Sequence, residues 1–176
     1  MRGTLIMAAT VIAAIAAPAK ADSRITLIRA EDLIPIEPIE APVRRAADAF
    51  FEALRSKDKT ALAKTMLPDG VIFVHDRRDA DNPRTRIVPA GEHLKGWESS
   101  PPGTDEYMTY ESILVDGTMA HVWGPYVFLL NGKPTHCGVN SMSFAKTEDG
   151  WRVSNTSFTM TALNECDILK APKAPE

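Results

Sequence analysis

Residues 112–153 read SILVDGTMAHVWGPYVFLLNGKPTHCGVNSMSFAKTEDGWRV. Three turn signals punctuate this stretch, Asp116-Gly117, Asn131-Gly132 and Glu148-Asp149-Gly150, each flanked by apolar or alternating runs. Asn-Gly and Asp-Gly pairs are the strongest short-range hairpin signal, because tight hairpin turns need positive φ and these residues adopt it at little cost. From Tyr107 onward the chain is therefore expected to be β throughout, four antiparallel strands in a meander.

The turns also set registers. With Asn131-Gly132 as the turn, Leu130 opposes Lys133, Val127 opposes His136 and Trp123 opposes Asn140. With Asp116-Gly117 as the turn, Ser112 opposes His121 and Tyr110 opposes Trp123. Strand alternation then puts His121, Trp123, Val127, His136, Asn140, Met142 and Phe144 on one face. The other face carries Ala120, Val122, Tyr126, Phe128, Cys137 and Val139. Proline cannot donate to a sheet ladder, so Gly124-Pro125 is the position where a bulge would flip part of this assignment.

Upstream the period changes. Val43, Ala46, Ala47, Phe50 and Leu54 recur at helical spacing behind Pro42, with Arg44, Arg45, Asp48, Glu52 and Arg55 on the other side, which predicts an amphipathic helix of about four turns. Asp58 is a candidate N-cap for a second, shorter helix through Met66, stopped by Pro68-Asp69-Gly70. Val71 to His75 reads as a strand, Asp76 to Arg86 as a charged solvated loop, Pro89 to Glu98 as a short helix, and Ser99 to Asp105 as a loop. Helices segregated before a run of hairpins argue for an α+β fold, a curved antiparallel sheet with N-terminal helices on one face.

The chain has 176 residues, is 44% hydrophobic and carries a formal net charge of -3, which suits one globular domain and lacks the basic stripe that nucleic acid requires. Arg2, the apolar run Leu5 to Ala17, Pro18 and then Ala19-Lys20-Ala21 have the form of a secretory signal cut after Ala21. Thirteen helical residues span roughly 20 Å, short of a bilayer core of roughly 30 Å, so a membrane anchor is not expected. The expected organisation is a signal peptide at 1–21, an extended lead-in at 22–41, a domain at 42–163 and a loose C-terminal tail at 164–176. The mature protein would be exported, to the periplasm.

The element order, together with Trp123-x-Pro125-Tyr126, His136-Cys137-Gly138-Val139-Asn140 and Asp149-Gly150-Trp151-x-Val153, resembles the cone-shaped nuclear transport factor 2-like superfamily, in particular a bacterial exported branch of it. That superfamily also holds ketosteroid isomerases, SnoaL-like polyketide cyclases and scytalone dehydratase. The resemblance covers about residues 42–160 and implies a pocket inside the cone and frequent dimerisation. It does not imply a substrate. The branch commonly has an Asp before the final-strand threonine, whereas this chain has Phe158 before Thr159.

The first sheet face mixes aromatic groups with two histidines and an amide, as ligand pockets do. The expected pocket residues are His121, Trp123, His136, Asn140, Met142 and Phe144, with Trp97 roofing the mouth one helical turn from His93. His136 is the candidate acid/base, since histidine titrates near neutral pH. The other reading, which the residue pattern favours, is a core histidine bonded to a backbone carbonyl. A ketosteroid-isomerase-like site needs inward carboxylates, and the two best-defined strands offer none on this face. The leading expectation is thus a secreted protein binding a small, partly apolar molecule, without catalysis. The alternatives are an acid/base lyase, isomerase or cyclase using His136, or a dimeric interaction module whose cone is filled by its own side chains. No cofactor is expected. No metal site is expected either, since His75, His93, His121 and His136 show no HxH, HxxxH or HExxH spacing. A homodimer is expected through the face bearing Val122, Tyr126, Phe128 and Val139.

Cys137 and Cys166 are expected as two free thiols, because the related branch uses the Cys137 motif without a partner at 166. The alternative is a disulfide closing a loop of about 28 residues, which an oxidising compartment would favour.

Overall fold

A computed structural model describes residues 37–174; the expected signal peptide and the lead-in through residue 36 lie outside the described residues. The first helix, α1 (Ala41–Arg55), buries Val43, Ala47, Phe50, Phe51, Ala53 and Leu54, the stripe expected from the 3.6-residue period. Pro42 stands in its first turn, where a missing N–H costs nothing. The second helical segment is a 3₁₀ helix (Lys59–Lys64) rather than α. The Asp58 side chain caps it by accepting from the Thr60 N–H at 3.0 Å.

Among the described residues seven strands form one sheet: β1 (Val71–Asp76), β2 (Arg84–Pro89), β3 (Thr104–Met108), β4 (Ser112–Asp116), β5 (Met119–Leu130), β6 (Lys133–Thr147) and β7 (Gly150–Met160). The second α-helix, α2 (Ala90–Glu98), lies between β2 and β3. The strand order is β2-β1-β7-β6-β5-β3, with β4 also pairing β5. Two expectations are corrected here. The sheet is mixed, because β1 runs parallel to β7. And the charged stretch read as a loop through Arg86 contains the start of β2, an edge strand that pairs only β1. An edge strand polar on one side and charged at its start carries no apolar alternation to reveal it.

The hairpins at Asn131-Gly132 and Glu148-Asp149-Gly150 form, but the first turn is Gly117-Thr118 rather than Asp116-Gly117. Asp116 pairs with Met119, so Ser112 opposes Trp123, and Leu114, not Ser112, opposes His121. Asn131-Gly132 keeps Leu130 opposite Lys133 as predicted, with Asn131 at φ 52° and Gly132 at φ 74°. The β5–β6 register then slips between Phe128/Leu129, where Leu129 opposes Pro134 but Phe128 opposes His136, leaving Thr135 as the extra residue of a bulge. The bulge sits beside the turn, not at Gly124-Pro125. A one-residue slip moves every later residue of one strand to the other face of its partner. Gly124, not Trp123, therefore opposes Asn140.

The consequence is a correction to both faces. Ala120, Val122, Tyr126 and Phe128 share the inner face with His136, Asn140, Met142 and Phe144, and Val122 and Tyr126 are fully buried there. Val122, Tyr126 and Phe128 of the surface assigned to a dimer contact thus face the interior of the cone, while Val139, opposite Pro125, stays on the outer face. Trp123 stands on the outer face at 42% exposure, and His121 shares that face. The core joins α1, Leu62, Met66, Ala90 and Leu94 to the inner residues of β1, β5, β6 and β7.

The C-terminal segment is also not loose. Thr161 pairs with Cys137 by N–H and hydroxyl donations to its carbonyl at 2.7 and 2.8 Å. Cys166 is joined to Cys137 by a disulfide with Cα atoms 5.7 Å apart, which overturns the expectation of free thiols. Among the described residues no helix is long and apolar enough to cross a membrane.

Candidate functional site

A cavity of about 350 Å³ lies between the sheet and the two α-helices, within the range of small-molecule pockets. Phe50, Leu54, Met66, Ile72, Val74, Val88, Met142, Phe158 and Met160 make its walls apolar. Its polar members are few: Glu106, His136, Asn140, Thr156, His93 and, at the opening, Arg86. Of the residues expected from sequence, His136, Asn140, Met142 and Trp97 line this cavity. Phe144 faces inward but is packed into the core, and His121 and Trp123 lie across the sheet.

Sequence reasoning missed Glu106. It stands on β3 opposite Phe128, which in turn opposes His136, so the three form one row across β3, β5 and β6. The strand is anchored at the two positions before Glu106. The Lys59 ammonium donates to Thr104 Oγ1 at 2.7 Å and to the Leu54 carbonyl at the end of α1 at 3.0 Å. Arg55 donates to the Asp105 carboxylate at 2.9 Å and to the Glu106 carbonyl at 3.0 Å. Alternation along Thr104-Asp105-Glu106-Tyr107-Met108 turns Thr104, Glu106 and Met108 to one side, and Thr104 and Glu106 are buried.

Glu106 is only 8% exposed. Burial raises its pKa to about 7, opposed by donation from Asn140 Nδ2 to Glu106 Oε1 at 2.7 Å. Burial acts oppositely on His136, lowering its pKa to about 4, with the nearby Arg78 guanidinium adding to the effect. The His136 ring stacks on Phe128 at 5.1 Å and meets the Tyr126 ring edge-on at 5.8 Å, while Nδ1 is 2.9 Å from Thr135 Oγ1. His136 is therefore neutral at physiological pH. The Tyr126 hydroxyl is already committed, donating to the Thr159 carbonyl at 2.8 Å. That carbonyl closes over Gly138, where a Cβ would come within 1.8 Å of it, so a glycine is required.

Glu106 Oε2, Asn140 Oδ1 and His136 Nε2 have no protein partner among the described residues, and none of them is sealed from solvent. All three residues line the cavity. The sealed and unpartnered atom of this region is Trp97 Nε1, whose ring instead carries the Lys59 ammonium at 4.8 Å from its centre. His93, beside Trp97 on α2, has its pKa lowered by burial. The interior can thus present a neutral hydrogen-bonding cluster in an apolar wall, with one carboxyl able to change charge near neutral pH.

No protein family's sequence model matches this chain, and no curated protein matches it. Solved structures do. One is a nuclear transport factor 2-like protein of unknown function from Shewanella baltica, 15% identical, with a TM-score of 0.51 over 68% of this chain and 90% of that one. A proposed dehydratase of the nuclear transport factor 2-like family from Streptomyces avermitilis is 20% identical, with a TM-score of 0.54 over 68% and 93%. The β subunit of a proposed aromatic-ring-hydroxylating dioxygenase from Novosphingobium aromaticivorans is 13% identical, with a TM-score of 0.56 over 70% and 90%. At these identities the likeness concerns the fold.

Proposed function

We propose that this chain, whose fold is that of the nuclear transport factor 2-like superfamily, binds a small, partly apolar molecule in its cone. The observation that carries the reading is that Glu106, Asn140 and His136, each with a polar atom unpartnered by protein, line a cavity whose other walls are apolar. A cone filled by its own side chains would leave no such cavity, which weighs against a purely structural module. The apolar fluorophore N-phenyl-1-naphthylamine tests the reading. Saturable binding of one equivalent with blue-shifted emission supports it, and the absence of saturable binding overturns it.

A proton-transfer role is the second reading, and it moves from His136 to Glu106. A histidine whose pKa is held near 4 is a weak base, whereas a carboxyl near 7 is poised for acid/base work at neutral pH. Glu106 would take or return a proton through Oε2, with Asn140 holding Oε1. Glu106→Gln then separates the two roles: it retains the naphthylamine and abolishes any proton transfer.

Export and dimerisation belong to the same proposal. The Cys137–Cys166 disulfide supports an oxidising compartment. The homodimer is reassigned to the outer sheet face, where Trp123, Phe73 and Ile87 lie in one row across β5, β1 and β2 with Ser141 and Ser157 between them. Leu114 and Met119 extend this surface, each 63% exposed.

A further inference from the structure

Arg86 is exposed and yet lines the cavity, so it stands at the opening. Register puts it in a row with Val74, Phe158 and Asn140 across β2, β1, β7 and β6. Three strand spacings separate Arg86 from Asn140, about 14 Å along the sheet. Between them the inner surface is apolar. The opening is also positive. Arg84 shares the Arg86 face by alternation, and Asp76, opposite Arg84, is already neutralised by the Arg78 guanidinium at 2.7 and 2.9 Å. Among the described residues no carboxylate lies within ion-pair distance of Arg86 or Arg84. A surplus of guanidinium at the mouth of an apolar pocket is unexpected in a chain of net charge -3.

From this arrangement we infer that the ligand is an amphipathic anion. Its carboxylate, or a sulfonate of like charge, sits at Arg86, and its apolar body runs along Val74 and Phe158 toward the neutral polar cluster at Asn140. Guanidinium suits a planar oxyanion because its parallel N–H donors match two oxygens. An interior with apolar walls fits the body but not the charge, since burying an unpaired anion beside Glu106 would be costly. The head group therefore stays at the rim, where the arginines and solvent both reach it. This assignment rests on the cone being a binding site and adds the class of molecule that enters it.

Two naphthalenes test it by calorimetry on the purified protein. N-phenyl-1-naphthylamine is the neutral body, and 1-anilinonaphthalene-8-sulfonate is the same body with an anion attached. The sulfonate is expected to bind about tenfold tighter at low salt, to be displaced by the neutral compound, and to lose its advantage in 0.5 M NaCl. Arg86→Gln, on an exposed position of an edge strand, should remove that advantage and leave the neutral compound unchanged. Equal affinities, an Arg86→Gln variant that still prefers the sulfonate, or a sulfonate that the neutral compound cannot displace would each overturn the inference while leaving the cavity reading intact. If neither compound binds, the cavity reading fails, and the inference falls with it.

Discussion

Replacing Glu106 by glutamine keeps the size of the side chain and an oxygen to accept from Asn140, and removes only the proton equilibrium. In the native protein the carboxyl holds its proton up to a pH of about 7, whereas in the unfolded chain it releases it near 4.5. Between those values the folded state binds more protons, so this group's contribution to stability is complete below pH 4.5 and is lost as pH rises through 7. At about 1.4 kcal/mol per pH unit the loss is about 3 kcal/mol. His136 works in the opposite sense. Its folded value of about 4, against 6.5 when unfolded, makes the unfolded chain the proton binder between those values, so stability rises with pH there by a similar amount. The two slopes nearly cancel in the wild type from about pH 4.5 to 6.5. Glu106→Gln unmasks the histidine: its stability should match the wild type near pH 4.5, then climb, and exceed the wild type by about 3 kcal/mol at pH 8. His136→Gln should show the mirror image, a fall with rising pH. Urea denaturation with the disulfide intact, followed by tryptophan fluorescence from pH 4.5 to 8, reads both slopes. A Glu106→Gln variant whose stability tracks the wild type at every pH would refute the buried, proton-holding carboxyl.

Cys166→Ser opens the loop of sequence separation 29 that ties the C-terminal segment to β6. In the chain-entropy treatment this costs about 3.5 kcal/mol, measurable as a lower urea midpoint, and an unchanged midpoint would count against the bridge. Trp123→Glu places a charge on the outer apolar surface, at the β5 end of its row beside Leu114 and Met119, and should convert a dimer to a monomer in light scattering, without loss of naphthylamine binding. A wild type that is already monomeric at tens of micromolar, or a variant that remains dimeric, would reject that face.

Much of the fold was legible because its signals are local. The Asn131-Gly132 turn, the Val43-to-Leu54 stripe and the Asp58 cap each depend on a few neighbouring residues, and each formed where expected. Which face is the interior was not local. It turned on Thr135, one residue absorbed into a bulge by pairing with β5, and that displacement exchanged Trp123 for Tyr126 and Phe128 at the cavity. His136, Asn140 and Met142 kept their place because they follow the bulge on their own strand and share its alternation. Glu106 escaped because buried carboxylates run against the ordinary partition of charge to the surface. Its signal was the alternation of Thr104, Glu106 and Met108, obscured by Asp105 beside it. Arg86 escaped for a related reason, since a charged edge strand reads like a solvated loop.

The most direct test of the account is a crystal structure of the protein with N-phenyl-1-naphthylamine. The cone-site account predicts the rings between Phe158 and Met142, with the amine about 3 Å from Glu106 Oε2 or Asn140 Oδ1. A probe lying instead on the outer face over Trp123, with the cone closed by its own side chains, would contradict it.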